Sequence, residues 1–257
     1  MMAVKLKVFT FNLRVESKVD GDNIFWNRTG RVLETLETHK PDLIGFQEAT
    51  DKMRDWLKSS LPGYTVLGCG RNADYHGESV VLAYRTEAFE LISFDQFWLS
   101  PTPSVPGSRF GGDQSGCPRM AVAATLKHRE ASELLRFYNT HLDHQGPVAR
   151  LLGATQLMQA ISTWGGKFVL TGDFNALPDT AEIQTVTSCK ALPIVDATAL
   201  LGGTFHNFGR KAVPSKIDYI FTNADCDPAE SHLIEDHPAD GIYISDHNPV
   251  CAYITIE

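Results

Sequence analysis

The 257-residue chain is expected to fold as a mixed α/β sandwich, two β-sheets packed face to face with helices outside. Three observations carry this expectation. Strand–helix units stand at both ends of the chain. β-rich segments fill the middle, from residue 64 to residue 142. No repeat, charge run or Pro/Gly linker divides the sequence, so residues 1–257 read as one domain.

The elements follow in order. Residues 4–13 alternate in part and are rich in Val, Phe and Thr, which fits a strand delivering Asn12 at its end. Residues 27–39 place Val32, Leu33 and Leu36 on one helical face, and Pro41 stops that helix. Residues 42–46 are a short buried strand leading into Gln47 and Glu48. Residues 51–60 are a helix with Met53, Trp56 and Leu57 inward, ended before Pro62-Gly63. Strands are expected at 64–68, 79–84, 88–98, 120–128 and 134–142, with hairpins around the charged turns Arg85-Thr86-Glu87 and Lys127-His128-Arg129-Glu130. Residues 148–163 read as a helix with Leu151, Leu152, Thr155, Leu157, Met158 and Ile161 mostly inward. Residues 168–171 form a strand and 180–187 a helix; strands at 217–222, 226–233 and 250–256 complete the chain. Between them, residues 100–118 carry four prolines, four glycines and Arg109. A loop of that length is either a lip over a site or a plain surface excursion.

Composition narrows the function. With 23 basic against 31 acidic residues the chain carries a net charge of −8, which argues against long nucleic acid as the main partner. A local patch or a bound cation would reverse the field inside a cleft. The five cysteines form no CxxC or other metal spacing and fit reduced thiols. The start, Met1 to Lys7, lacks the apolar run of a signal peptide, and no stretch approaches the roughly 20 apolar residues that cross a bilayer. A cytoplasmic protein without membrane insertion is expected; no protein partner is readable.

Four acids stand where apolar strands give way to loops: Glu48, Asp173, Asp218 and Asp246. Each has a plain structural alternative, such as a cap for Glu48 or turn formation after Gly172 for Asp173 and Asn175. Taken together, carboxylates at strand ends point to one pocket that holds a divalent cation and works on phosphate. Glu48 with Asp246 would supply the carboxylates a hard cation takes, and Asn12 an amide oxygen. Asp173 would orient or deprotonate a water, and the Asn175 amide would donate to a phosphate oxygen. Strand alternation puts Asn139, His141 and Asp143 on one face as a pocket wall. Glu78 is expected to pair with His141 and keep it cationic for phosphate. Asp218 is expected to hold the His247 ring and stabilise its imidazolium, leaving Asp246 for the metal.

In order along the chain, Thr10-Phe11-Asn12, Gly45-Phe46-Gln47-Glu48, Asn139-Thr140-His141, Gly172-Asp173-Phe174-Asn175, Ile217-Asp218-Tyr219-Ile220 and Ser245-Asp246-His247 resemble the motifs of the endonuclease/exonuclease/phosphatase superfamily, with its DNase I-like fold. The resemblance runs from residue 4 to residue 256. It implies an α/β four-layer sandwich of two mixed β-sheets flanked by helices, and Mg2+- or Mn2+-dependent hydrolysis of phosphoesters. By this resemblance Asn12, Glu48 and Asp246 form the metal pocket, and Asp173 orients the attacking water. Asn175 and His141 bind phosphate, and His247, supported by Asp218, stabilises the phosphorane or leaving group. The segment 139–144, followed by 146–150, looks most like the deadenylase-type exonuclease branch; His141 stands where abasic-site enzymes have Tyr. Arg119 and Arg150 flank pocket elements and are expected to touch substrate.

The expected reaction is hydrolysis of phosphodiester bonds in a small or single-stranded phosphorylated substrate. Phosphomonoester hydrolysis on a sugar, lipid headgroup or nucleotide is the alternative within that class. A binding module that keeps the fold without turnover is the rival from another class; the intact acids, amide and histidines argue against it.

Overall fold

The computed structural model describes residues 3–189 and 192–257. In chain order its first half comprises β1 (Val4–Asn12), α1 (Phe25–His39), β2 (Leu43–Ala49), α2 (Asp51–Ser60), β3 (Tyr64–Leu67), β4 (Ser79–Arg85), β5 (Phe89–Trp98) and β6 (Met120–His128). There follow β7 (Leu134–His141), α3 (Pro147–Trp164), β8 (Lys167–Asp173), α4 (Ala181–Thr187), β9 (Val195–Asp196), β10 (Asp218–Thr222), β11 (His232–Leu233) and β12 (Val250–Ile256). The strands form two six-stranded sheets, ordered β11-β12-β1-β2-β4-β3 and β5-β6-β7-β8-β10-β9.

Three apolar layers make this the expected four-layer sandwich. Leu6, Val8, Leu43 and Leu82 of one sheet meet Val122, Phe137, Val169 and Ile220 of the other between the sheets. Phe9, Phe11, Ile44 and Phe46 turn the opposite way and pack under Val32 and Leu36 of α1 and Met53 and Leu57 of α2. Leu157, Met158 and Ile161 of α3 and Ile183 and Val186 of α4 cover the outer face of the second sheet. Period-two alternation in the strands therefore feeds two cores at once. Local signals end the helices where expected: Lys40 takes a left-handed conformation just before Pro41, and Gly165 does so after α3. Leu152, expected inward, is 43% exposed on the solvent side of α3. No helix among the described residues is long and apolar enough to cross a membrane.

Each sheet holds one parallel pair, β1 with β2 and β7 with β8. A helix crosses over between the partners, so the carboxyl ends of each pair emerge side by side. Asn12 thus lies opposite Gln47, and His141 opposite Asp173. Antiparallel β10 starts at that same edge, with Asp218 opposite Asp173.

Two expected elements differ. Arg85-Thr86-Glu87 is not a hairpin turn: β4 pairs with β2 and β3 while β5 pairs with β6, so the chain changes sheets there. The strand expected at 226–233 shrinks to His232–Leu233, because Pro228–Glu230 form a 3₁₀ turn capped by the Asp227 carboxylate. Pro228 lacks the N–H a ladder needs.

Between the sheets, next to the apolar core, lies a buried polar seam. The Gln47 amide donates to Thr10 Oγ1 at 3.0 Å and to Asn139 Oδ1 at 2.7 Å. Asn139 in turn donates to the carbonyls of Phe46 at 2.8 Å and Val81 at 3.0 Å, and accepts from Thr171 Oγ1 at 3.1 Å. Asn139 thereby ties β7 to β2 and β4 of the other sheet. The close approach requires Gly45: a Cβ there would stand 2.0 Å from Thr171 Oγ1 and 2.7 Å from Asn139 Oδ1. Gly45→Ala is therefore expected to destabilise the protein by about 1–3 kcal/mol, the usual overpacking cost, or more if the seam breaks. Urea unfolding midpoints measure this; a wild-type midpoint would show that the seam is slack.

Candidate active site

The seam runs directly into a cluster of polar side chains. Thr10, Asn139 and Thr171 each face the inter-sheet space, and two residues further along the same strands stand Asn12, His141 and Asp173. Alternation carries all three to the same side. Glu48 directly follows Gln47, and a regular strand would turn it away. Here the β2–β4 register shifts between Phe46 and Ala49, and Glu48 takes φ +63°, which brings its carboxylate round to join the others. Arg14 (φ +57°), Asn175 (φ +48°) and Asn207 (φ +51°) are also left-handed, and all four line one cavity of about 330 Å3. Left-handed non-glycine backbone persists only where surrounding structure enforces it.

His247 is the electrostatic centre. Its Nδ1 donates to Asp218 Oδ2 at 2.7 Å, while Nε2 lies 3.8 Å from Asp173 Oδ2 and 4.0 Å from Asp246 Oδ1. Burial works to lower its pKa, but the charge and hydrogen bond of Asp218, with Asp246 and Asp173 beyond, lift it to about 10. His247 is an imidazolium at neutral pH. Thr204 Oγ1 donates to the same Asp218 oxygen and fixes it.

Burial, together with the charge of Asp218, pushes Asp173 up to about 7, against the opposing pull of His247 and hydrogen bonds from Asn175 and Asn12. Asn12 Nδ2 donates to Asp173 Oδ2 at 2.9 Å and to Glu48 Oε1 at 3.2 Å, and the Asn175 N–H donates to Asp173 Oδ1 at 2.8 Å. A carboxylate poised near neutrality suits proton acceptance from water.

His141 differs from expectation. Burial, then the charges of Arg119 and Arg71, hold its pKa well below the ordinary value, so the ring is neutral. Its Nε2 accepts from the Asn175 amide at 3.0 Å. Glu78 does not pair with it. Arg71 stands across the same arm, its N–H bonded to the Glu78 carbonyl, and its Nη2 takes the Glu78 carboxylate at 2.7 Å.

Two carboxylates that suit a hard cation, Glu48 and Asp246, line the cavity. Glu48 Oε2 accepts from the Val15 N–H at 2.7 Å, and Asp246 Oδ2 lies 3.7 Å from Arg14 Nε. Burial, reinforced by the negative charge of Glu48 and opposed by His247, Arg14 and Arg28, raises the Asp246 pKa. Among the described residues, ligand-type atoms lie within 4.8 Å of one another in two groups, Glu48 with His141 and Asp173, and Asp173 with Asp218 and His247; Asp246 belongs to neither. Oxygen donors with several open positions fit Mg2+ or Mn2+. Asn12 is placed differently from expectation: its Oδ1 accepts from the Arg14 N–H at 2.9 Å and its Nδ2 serves two carboxylates. It orients acids rather than offering an oxygen.

Of the two expected substrate arginines, only Arg119 lines the cavity. Arg150 faces α4 from the first turn of α3, bonding Glu182 Oε1 at 2.8 Å and the Asp143 carbonyl at 3.1 Å. Asp143 anchors the loop at 100–118: it accepts from both groups of Ser115 and from the N–H groups of Gln145 at 3.0 Å and Gly146 at 2.8 Å. The end of that loop, Cys117, reaches the cavity.

The sequence reading missed Arg14, Arg71, His144, Phe205 and Asn207 in the lining. It also missed Arg28, a completely buried guanidinium that donates to the carbonyls of Asn23, Leu13, Arg14 and Ile244. It clamps the loop after β1 to the segment entering Asp246. Only Arg14, two residues after Asn12, carried a sequence signal that could have found it.

The family model described as "Endonuclease/Exonuclease/phosphatase family" matches residues 9–247. Among solved structures, an endonuclease/exonuclease/phosphatase from Bacteroides vulgatus is 30% identical, covering 99% of this chain and 100% of that one at a TM-score of 0.88. The mannosyl-6-phosphatase Bt3783 of Bacteroides thetaiotaomicron is 26% identical, covering 98% and 100% at 0.84. The human Nocturnin catalytic domain, at 18% identity, 99% and 96% coverage and a TM-score of 0.72, shares the fold. A curated relative, the uncharacterized protein L388 of Acanthamoeba polyphaga mimivirus, is 24% identical over 157 residues, 58% of each chain.

The His247 proton is linked to folding. Its folded pKa of about 10 stands above the ordinary 6.5, so the native state holds the proton more tightly than the unfolded chain. That stabilisation is full below the unfolded pKa and is lost as pH rises through the folded one. In chelator-treated protein, urea midpoints of wild type should exceed those of Asp218→Asn near pH 6.5, and the gap should narrow as pH rises through about 10. A gap that stays constant would mean that His247 is uncharged.

Proposed function

The chain belongs to the endonuclease/exonuclease/phosphatase family, hydrolases of phosphoester bonds, and from that premise we propose that it is a divalent-metal-dependent phosphomonoesterase acting on a small phosphorylated metabolite in the cytoplasm. The cavity carries the proposal. Its volume of about 330 Å3 suits one small molecule, and Arg14, Arg71, Arg119 and His247 stand in it against Glu48, Glu78, Asp173 and Asp246, so that a bound divalent cation would tip its charge positive although the whole chain is acidic. The likeness to a mannosyl-6-phosphatase over nearly the full length supports the same reading, and five free thiols suit a reducing compartment.

In this reading Glu48 and Asp246 hold Mg2+ or Mn2+, which when bound supplies Lewis-acid stabilisation of charge on the phosphoryl oxygens. Asn12 keeps Glu48 and Asp173 aimed at the cavity. Asp173 orients a water for in-line attack and takes its proton. Asn175 would donate an amide hydrogen to a phosphoryl oxygen by exchanging one of its two present acceptors, His141 Nε2 at 3.0 Å or the Leu142 carbonyl at 3.1 Å, for it. The His247 imidazolium, fixed by Asp218, meets the negative charge that grows in the transition state and can pass its proton to the far more basic alkoxide released as the P–O bond breaks. The amide, the imidazolium and the carboxylate are preorganised by buried partners, which is where most of such a rate enhancement resides.

A second reading, hydrolysis of a phosphodiester in a nucleotide or short single strand, is favoured by Phe205, whose ring lines the cavity and could stack on a base.

Turnover of p-nitrophenyl phosphate and bis-p-nitrophenyl phosphate with Mn2+ separates the readings. The monoester should be preferred, chelation should abolish activity, and Asp173→Ala or His247→Ala should lower kcat by about 100- to 1,000-fold. Preference for the diester would favour the second reading. Equal rates in all three proteins would leave a phosphate-binding module without turnover.

A further inference from the structure

The chemistry just described uses one wall of the cavity for its charge alone. Arg71 and Glu78 come from the arm at residues 69–78, Arg119 from the residue before β6, and His144 from the β7–α3 loop; all four line the cavity. The wall is rigid. The Arg71 carbonyl accepts from Trp98 Nε1 at 2.6 Å, its N–H donates to the Glu78 carbonyl at 2.9 Å, and its Nη2 donates to the Glu78 carboxylate at 2.7 Å. The arm is fastened behind by Asp51, which accepts from the Gly77 N–H at 3.2 Å, and by Arg54, which donates to the Gly77 carbonyl at 3.2 Å. Arg119 Nη2 bonds His144 Nδ1 at 2.9 Å, and its Nε stays 3.6 Å from Asp143. Yet Nε and Nη1 of Arg119 have no hydrogen-bond partner, although the residue is only 5% exposed. Buried donors are rarely left unpaired outside functional sites, because each forfeits its hydration.

We propose that Arg71, Glu78 and Arg119 form a specificity subsite for the non-reacting part of the substrate, a polyhydroxylated, sugar-like group. The arginines donate to its oxygens, and Glu78 accepts from one of its hydroxyls. The subsite rests on the phosphomonoesterase reading, whose metal and water-orienting groups it extends. Glu78 decides the ligand chemistry. A second phosphate or a carboxylate placed against Arg71 would meet the Glu78 carboxylate and be repelled. A sugar hydroxyl both donates and accepts, so it satisfies the arginine and the glutamate together.

The test compares kcat/KM for mannose 6-phosphate and for p-nitrophenyl phosphate, with Mn2+, in wild type and Glu78→Gln. The sugar-phosphate to nitrophenyl ratio should fall about 10-fold or more in the variant, because the amide keeps one uncharged acceptor oxygen in place of the two charged oxygens of the carboxylate. An unchanged ratio overturns the subsite, since the wall then serves folding or the phosphate alone. A variant that gains on fructose 1,6-bisphosphate while keeping its mannose 6-phosphate rate also overturns it, in favour of a second anion. If Glu78→Gln fails to fold, Arg71→Gln removes the same pair and is read by the same ratio. If wild type turns over neither ester, the functional reading has failed, and calorimetry reads the subsite alone. Mannose 6-phosphate should then bind about 10-fold more tightly than methyl phosphate; equal affinity overturns it.

Discussion

Two twisted sheets packed through apolar faces have little to fix their relative position along the strands, because methyl against methyl is non-directional. In this chain that position is fixed by hydrogen bonds in a buried place. Asn139 gives both amide hydrogens to carbonyls of the facing sheet and receives one bond from each sheet at its oxygen, from Gln47 and from Thr171. Such bonds are strong in a low dielectric and costly if broken. A slip of one residue would leave Asn139 and Gln47 buried and unpaired. The same register sets the site, since Asn12, His141 and Asp173 lie one pleat beyond Thr10, Asn139 and Thr171. The energetic demand on the interior and the geometric demand on the site are one constraint.

The site is also where local rules are broken, and each breach moves a side chain to a place the regular structure would deny it. Glu48 leaves the strand pattern through a bulge and a left-handed φ. Arg14 turns left-handed directly after Leu13, and its guanidinium ends bonded to Asp20 at 2.9 and 3.0 Å, beside Asp246. Arg28 holds that distortion. Desolvation lowers its pKa to about 10, still far enough above neutrality to keep it charged, and its donors are spent on four backbone carbonyls. Buried charge of this kind trades stability for position. The segments it joins carry Arg14 and Asp246, from opposite termini.

What the sequence made legible followed from short-range rules. Strand ends, the helix stop at Pro41, and acids beside His or Asn are all readable over a few residues, and they put Glu48, Asp173, Asp218 and Asp246 in the site. The His247–Asp218 pair was legible too, because an Asp on the opening residue of a strand and a His in a neighbouring loop have few other reasons to be there. What escaped depends on long-range choice. Arg85-Thr86-Glu87 has the composition of a hairpin turn, and nothing local says that the next strand joins the other sheet. Glu78, expected to reach His141, is given Arg71 instead by the fold of the 69–78 arm. Arg150 and Arg119 flank the site alike in sequence, yet one faces α4 and the other the cavity.

An acidic chain that handles a dianion needs its cations placed rather than plentiful. Here the overall charge of −8 sits mostly in exposed residues, where water and salt screen it within about 8–10 Å. Inside the cavity the dielectric is lower and charges act over their full range. His247 owes its charge to Asp218, and Arg71 is half-neutralised by Glu78. Each cation thus arrives with a carboxylate that holds it in position and limits the local excess. With a divalent cation added, such a pocket would turn positive without offering the extended basic surface that a polymer requires, so the acidity of the chain and the handling of a small anion are compatible consequences of one arrangement.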